Sequence, residues 1–223
     1  MIIEKKEIID FPAVTICNLN RMKLKYVPCL YNLTKLCPLF SEYGRSDSIS
    51  LPERRSIHSR KREFRGKILN NRDASIEFLH LYSQLNNIKR KIFGHHSPDM
   101  IKTCLFNGRQ NNIDFESFVS FRYGNCFTLK PEGVYFKKPW KGTSAESGNA
   151  LELVLNVEPD EYVPISHTIG MRIEIHNPKD IPDPERNGFN IFPGYENHIT
   201  FSQTIIGRLP FPYKDKCISY ADN

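Results

Sequence analysis

The stretch Phe11-Pro12-Ala13-Val14-Thr15-Ile16-Cys17-Asn18-Leu19-Asn20-Arg21 is apolar for most of its length and turns polar after a cysteine. Together with Ile8 and Ile9, the branched residues Val14 and Ile16 predict extended chain, because β-branched side chains pack well on a pleated backbone. Pro12 has no amide hydrogen to donate, so a bend or an edge strand is expected there. The run is far shorter than the roughly 18–20 apolar residues that a membrane span needs, and no other window of the chain approaches that length. The first six residues, Met-Ile-Ile-Glu-Lys-Lys, lack the long apolar core of a signal peptide.

Outward from that stretch, the chain has 223 residues, 39% hydrophobic, 25% charged and 12% aromatic, enough for one large domain or two small ones. These fractions exclude a disordered or collagen-like chain. On composition alone the chain reads as soluble, globular and somewhat basic. The net charge of +6 is concentrated in residues 53–67, which hold seven basic and two acidic residues. Two readings of that cluster stand side by side: a solvated surface segment, or a phosphate-neutralising patch of a nucleic-acid binder. No zinc-finger spacing or RNA-binding aromatic motif supports the second, and no nucleic-acid partner is expected.

The cysteines are Cys17, Cys29, Cys37, Cys104, Cys126 and Cys217, and no spacing is C-x-x-C. No metal site is expected, since zinc sites bring two ligands close in sequence. Adjacent His95 and His96 point in different directions and read as surface histidines. Scattered cysteines suit disulfides in an oxidising compartment. An N-glycosylation sequon stands at Asn32-Leu33-Thr34.

Residues from about Asn20 to Lys67 are irregular and read as loop with short helical pieces. From Asp73 the spacing of Ile76, Leu79, Leu85, Ile88 and Ile92 predicts a helix with one apolar face. Ser97-Pro98-Asp99 predicts a helix start, and that helix is expected to run to about Phe106. Beyond residue 112 the period becomes two. Leu151, Leu153, Leu155 and Val157 alternate with other residues, as do Met171, Ile173 and Ile175, which predicts half-buried strands. Helices gather in one block and strands in another, so the fold class is α+β. There is no G-x-S-x-G, P-loop or G-x-G-x-x-G. The carboxylates Glu158, Asp160 and Glu161 read as a solvated turn, and His176 as structural. The chain is not expected to be an enzyme or to carry a cofactor.

Residues 11–21 strongly resemble the phrase that follows the first membrane helix in the degenerin/epithelial sodium channel/acid-sensing ion channel superfamily. Phe118–Leu129 (FVSFRYGNCFTL) resembles its second cysteine motif. Gly148–Pro164 (GNALELVLNVEPDEYVP) and Gly170–His176 (GMRIEIH) resemble successive palm strands. Gly188–Gly194 (GFNIFPG) is similar to the family's G-x-x-(V/I)-x-P-G turn, and Arg208–Cys217 to the segment that closes the palm.

The resemblance implies a β-rich palm and β-ball with a helical finger insertion. Residues 1–20 are expected as the first palm and β-ball strands, and 21–112 as finger with the basic segment 53–67. Residues 113–217 are expected as the remaining palm and β-ball strands, and 218–223 as the start of a thumb. Thumb, knuckle and both membrane helices are missing, so the expectation is an extracellular fragment of an amiloride-sensitive sodium channel subunit. Its parent is expected at the plasma membrane as a trimer conducting sodium, with contact to the membrane only through the helices absent here. The alternative is a stand-alone extracellular binding or dominant-negative module of the same fold.

The resemblance also implies roles for single residues. Cys17 and Cys126 match a disulfide pair closing a loop of more than 100 residues, a bridge worth about 2–5 kcal/mol. Cys104 and Cys217 match cysteines whose partners are absent, Asn111 standing where one of them belongs. Cys29 and Cys37 have no counterpart: either they pair around Asn32, or Cys29 links to Cys104. Tyr213 matches an aromatic that couples ectodomain motion to the pore, although Lys214-Asp215-Lys216 lengthens its spacing to Cys217. Arg172 aligns with a lysine of an anion site at the subunit boundary and Asp180 with a carboxylate of the acidic pocket; both also read as ordinary exposed charges. Arg62 and Arg65 frame an R-x-x-R protease site of the kind cut in the finger of epithelial members.

Overall fold

The computed structural model describes residues 2–5, 8–31, 72–106, 108–110, 115–130, 141–143, 151–166, 168–201 and 204–207. In chain order, β1 (Ile2–Lys5), β2 (Ile8–Asp10) and β3 (Ala13–Asn18) lead through a 3-10 turn (Leu24–Tyr26) to α1 (Val27–Leu30). Next come α2 (Arg72–Ser83), α3 (Asn87–Phe93) and α4 (Ser97–Met100), then β4 (Ile101–Phe106) and β5 (Arg109–Gln110). The strands β6 (Glu116–Ser120), β7 (Gly124–Leu129), β8 (Lys141–Thr143) and β9 (Leu151–Leu155) follow. A second 3-10 turn (Pro159–Glu161) precedes β10 (Met171–His176), α5 (Pro184–Asn187), β11 (Phe189–Ile191) and β12 (Thr204–Gly207). Among the described residues, no helix is long and apolar enough to cross a membrane.

The main sheet is antiparallel with strand order β11-β10-β3-β7-β6. β3 is therefore its central strand, not an edge, and all six of its residues are buried. Pro12 is accommodated because it falls in the break between β2 and β3, where no ladder bond is lost. One face of this sheet sends Val14, Ile16, Phe127, Leu129, Met171 and Ile173 into the core. The leucines of β9 and the apolar side of β4 pack against it from the three-stranded sheet β5-β4-β9. A second core gathers Met22, Leu24, Val27, Phe78, Tyr82 and Phe93 under the helices.

The expected helix to Phe106 stops at Met100. The Asn156 N–H donates to the Met100 carbonyl at 2.7 Å, and Ile101–Phe106 pairs with β9. The partner strand's alternating leucines reward extended Ile101, Cys104 and Phe106 with a place in the core, and that outweighs the helix-start signal. A strand within the expected finger range 21–112 is thus part of a sheet. The expected apolar helix face is also wrong in phase: Ile76 and Ile88 are exposed, whereas Phe78 and Tyr82 are fully buried. The chain breaks between α2 and α3, where Asn86 caps α3 by accepting from the Lys89 N–H, so one period cannot run through both helices. The buried aromatics, four residues apart, also carry more area than the isoleucines. Likewise Glu174 is buried rather than solvent-facing, because β3 and β11 flank its strand and Asn187 donates to it.

β6 and β7 are joined by Phe121-Arg122-Tyr123, with Ser120 Oγ accepting from the N–H groups of Arg122 and Tyr123. Gly124 then takes a left-handed φ of 72°, and a Cβ there would lie 2.1 Å from the Arg21 carbonyl oxygen. Gly124→Ala is expected to destabilise the fold by more than about 2 kcal/mol, through backbone strain plus that overlap. Urea unfolding checks this; a variant with an unchanged midpoint contradicts the packing described.

Candidate functional site

Cys17 and Cys126 face each other in the register of β3 and β7, with Cα atoms 4.4 Å apart, and they form a disulfide. That spacing belongs to a non-hydrogen-bonded antiparallel pair, where side chains approach most closely. Immediately after Cys17 the chain leaves the sheet and drops between the helices and the turn that follows β9. Here a buried polar network forms.

Asn18 Nδ2 donates to the Val157 carbonyl at 2.9 Å, and Asn18 Oδ1 accepts from the Asn20 N–H. Asn20 is the hub. Its Oδ1 accepts from the Val163 N–H, which orients the amide. Its Nδ2 lies within hydrogen-bond distance of the carbonyls of Met22 and Glu161 and of His95 Nε2, and shares its two hydrogens among the three. The Glu158 carboxylate can only accept, so His95 Nδ1 carries a proton and donates to Glu158 Oε2 at 2.6 Å. Glu158 Oε1 accepts from Lys23 Nζ at 2.9 Å, and the same ammonium donates to Asp99 Oδ2 at 2.7 Å. Asn125, from β7, donates to the carbonyls of Lys91 and His95. Residues from four separated parts of the chain thus meet in one network.

Lys23 is only 3% exposed and His95 1% exposed, while Asp99 at 48% forms the solvent edge of the network. Burial alone would raise the Glu158 pKa, but the hydrogen bonds from His95 and Lys23 outweigh it and hold the carboxyl at about 2. Burial likewise works against the Lys23 charge, and the bonds to Asp99 and Glu158 reverse the sign, so its pKa is raised. Glu158 also has a left-handed backbone, φ 51° and ψ 59°, in a residue with a side chain. Such strain costs on the order of 1–3 kcal/mol and persists only where surroundings over-determine it. Glu158 thus anchors a buried ion pair between the helices and the sheet. Among the described residues, no group of acidic, histidine and cysteine side chains is arranged to hold a metal.

The histidine pair and the Glu158 turn, read from sequence as surface features, are thus this junction; His95 is buried and Glu158 is paired. Nothing local marks it: Lys23 and Glu158 are 135 residues apart. Arg172 spends its guanidinium on its own chain, donating to the Pro184 and Glu185 carbonyls and to Asn190 Oδ1. Asp180 lies in an exposed turn, and no hydrogen bond or ion pair between described residues joins it to Arg172. Cys104 is a free, buried cysteine whose pKa burial pushes up to about 11, so Cys29 does not link to it. Cys29 is itself disulfide-bonded. Asn32, Cys37, Arg62, Arg65, Tyr213 and Cys217 lie outside the described residues.

Glu158→Gln is expected to cost about 2–3 kcal/mol, because it takes one of two carboxylates from the buried Lys23 ammonium and leaves it to the half-exposed Asp99. Adding Lys23→Met should cost less than the two single losses together, the mark of one network; strict additivity in urea unfolding refutes the coupling. The pH dependence has a definite sign. The folded Glu158 pKa lies below its ordinary 4.5, so its stabilisation is present above about 4.5 and is lost as pH falls toward 2. Wild type should lose stability through that window, and Glu158→Gln should show a shallower slope there; parallel pH profiles for the two proteins count against the assignment.

The sequence profile of the amiloride-sensitive sodium channel family matches residues 2–222. Acid-sensing ion channel 1 of Gallus gallus is 28% identical over 224 residues, covering 93% of this chain and 39% of that protein. Acid-sensing ion channel 4-B of Danio rerio is 26% identical over 222 residues, covering 94% of this chain and 34% of that protein. Acid-sensing ion channel 2 of Danio rerio is 27% identical over 232 residues, covering 95% and 39%. The chain spans between a third and two fifths of the length of these relatives, which are channels rather than enzymes. Residues 2–222 place the chain in the amiloride-sensitive sodium channel family.

Proposed function

We propose that the chain is part of the extracellular region of a sodium channel subunit, working at the plasma membrane in a trimer. The observation that carries this is the family match across residues 2–222, with the Cys17–Cys126 bridge at the centre of the sheet. A disulfide of this kind belongs to an oxidising compartment, in keeping with the extracellular face. In this reading residues 1–20 and 113–217 build palm and β-ball, and 21–112 the finger. The junction of Lys23, His95, Asp99 and Glu158 then passes finger movement to the central strand. Phe192, Tyr195 and Ile199, exposed and close in sequence, are in keeping with a subunit contact in this reading. Tyr213 is the proposed link from this region to the pore.

The test is electrophysiological. The complete transcript carrying this frame, expressed in oocytes, is expected to give a sodium current blocked by amiloride. A surface-expressed product without such a current rejects the channel reading. The same current from the 223-residue chain alone would show that no further segment is needed, and so reject the reading of it as a part.

A further inference from the structure

A cluster outside the polar junction has charge without a counter-charge. The guanidinium Cζ of Arg21 lies 5.6 Å from the Tyr82 ring centroid and 5.7 Å from that of Phe121. Arg90 Cζ lies 5.4 Å and 5.2 Å from the same two rings. The ring centroids are 5.9 Å apart, so the two Cζ atoms are no more than about 9 Å from each other. Arg122, on the adjoining turn, adds a third positive charge that acts on Arg21. Cation–π attraction offsets part of this crowding, but it neutralises nothing.

Among the described residues, no carboxylate pairs with Arg21, Arg90 or Arg122. The acidic group whose field reaches Arg21 is Glu185, and its Oε1 accepts from Ser120 Oγ. Donors are left over. Arg90 Nε is buried without a hydrogen-bond partner, and so is the hydroxyl of Tyr82, a residue 0% exposed. Arg90 Nη2 donates to the Ser83 carbonyl at 2.8 Å and Arg21 Nη1 to the Phe121 carbonyl at 3.5 Å, but neither guanidinium has a carboxylate, and the two buried orphans beside them describe an unmet need for an acceptor.

We infer that Arg21, Arg90, Arg122 and Tyr82 form a binding site for a carboxylate. The guanidinium fork matches a planar carboxylate, and hydrogen bonds of about 2.8 Å to each fork let one group bridge the two arginines. A single negative charge suits the site better than a phosphate dianion, because Glu185 already stands in its field. Phe121 is 47% exposed at the rim and gives an apolar stem something to lie on. The carboxylate comes either from a small organic anion or from a Glu or Asp side chain of a protein; the chemistry of the site is the same for both.

The test uses the whole 223-residue chain at constant ionic strength and reads the Arg Nε–H resonances by NMR. Sodium propionate is expected to shift the Arg90 signal saturably, and the isosteric neutral propionamide to leave it unmoved. Arg21→Gln should weaken propionate at least about tenfold, the loss of one charge-assisted contact. Arg122→Gln, at an exposed position, should weaken it about threefold through lost Coulomb attraction alone. Identical responses to propionate and propionamide, or no response to either, overturn the site. That comparison needs no variant, so a folding failure of Arg21→Gln does not rescue it. A blocked peptide, acetyl-Ala-Glu-Ala-amide, separates the sources: much tighter binding than propionate assigns a protein side chain, and equal binding a small anion. A cluster that only braces the fold would bind none of them.

Discussion

Cys17 and Cys126 lock the two central strands of the sheet into one register, and the other contacts inherit it. Side chains alternate between faces along a strand, so a slip by one residue would turn the core face outward. With Cys17 opposite Cys126, Val14 and Ile16 meet Leu129 and Phe127 on the apolar face. On the other face Thr15 meets Thr128, and its hydroxyl also contacts His176. The same register sets where β3 ends, and hence where Asn18 and Asn20 stand.

The polar junction is built on that ending. Removing Lys23 from water costs several kcal/mol, and the site returns this only because Glu158 and Asp99 both reach the ammonium. His95 then holds the second oxygen of Glu158, and Asn20 holds His95. Each member is orientated by the next, which is why a left-handed Glu158 can persist. Of its buried side-chain atoms, Asn125 Oδ1 alone among the described residues of the network lacks a partner, so the network is held from nearly every side.

The cation–π cluster has the opposite character. Two arginines share two aromatic rings and leave a buried hydroxyl and a buried Nε without acceptors. The polar junction pairs its charges within the chain, and the arginine cluster does not. Both hang on the segment after β3: Arg21 points to one and Lys23 to the other. Movement of this segment is therefore felt at both places.

Local chemistry in the sequence was enough for several elements. The strands β9 and β10, the start of α4 and the family itself follow from alternation, a proline in the first helical turn and motif order, which are properties of near neighbours; Ser97 itself lies inside α4 and caps nothing. It was also enough, through the family motifs, to single out Cys17 and Cys126. It misled where a partner distant in sequence set the outcome. Ile101–Phe106 became strand because β9 was there to pair with it. Phe78 and Tyr82, rather than Ile76 and Ile88, faced inward because the helix breaks before Asn87 and the second core lies on their side. The candidate site was invisible for the same reason. His95, Glu158 and Lys23 each look like surface residues, and only the fold brings them within hydrogen-bond reach. The sequence by itself determined that β9 and β10 are extended, that a helix opens near Asp73 and which family the chain joins. The tertiary structure alone decided which charges are buried together, because desolvation and Coulomb attraction act through space and leave no periodic trace along the chain.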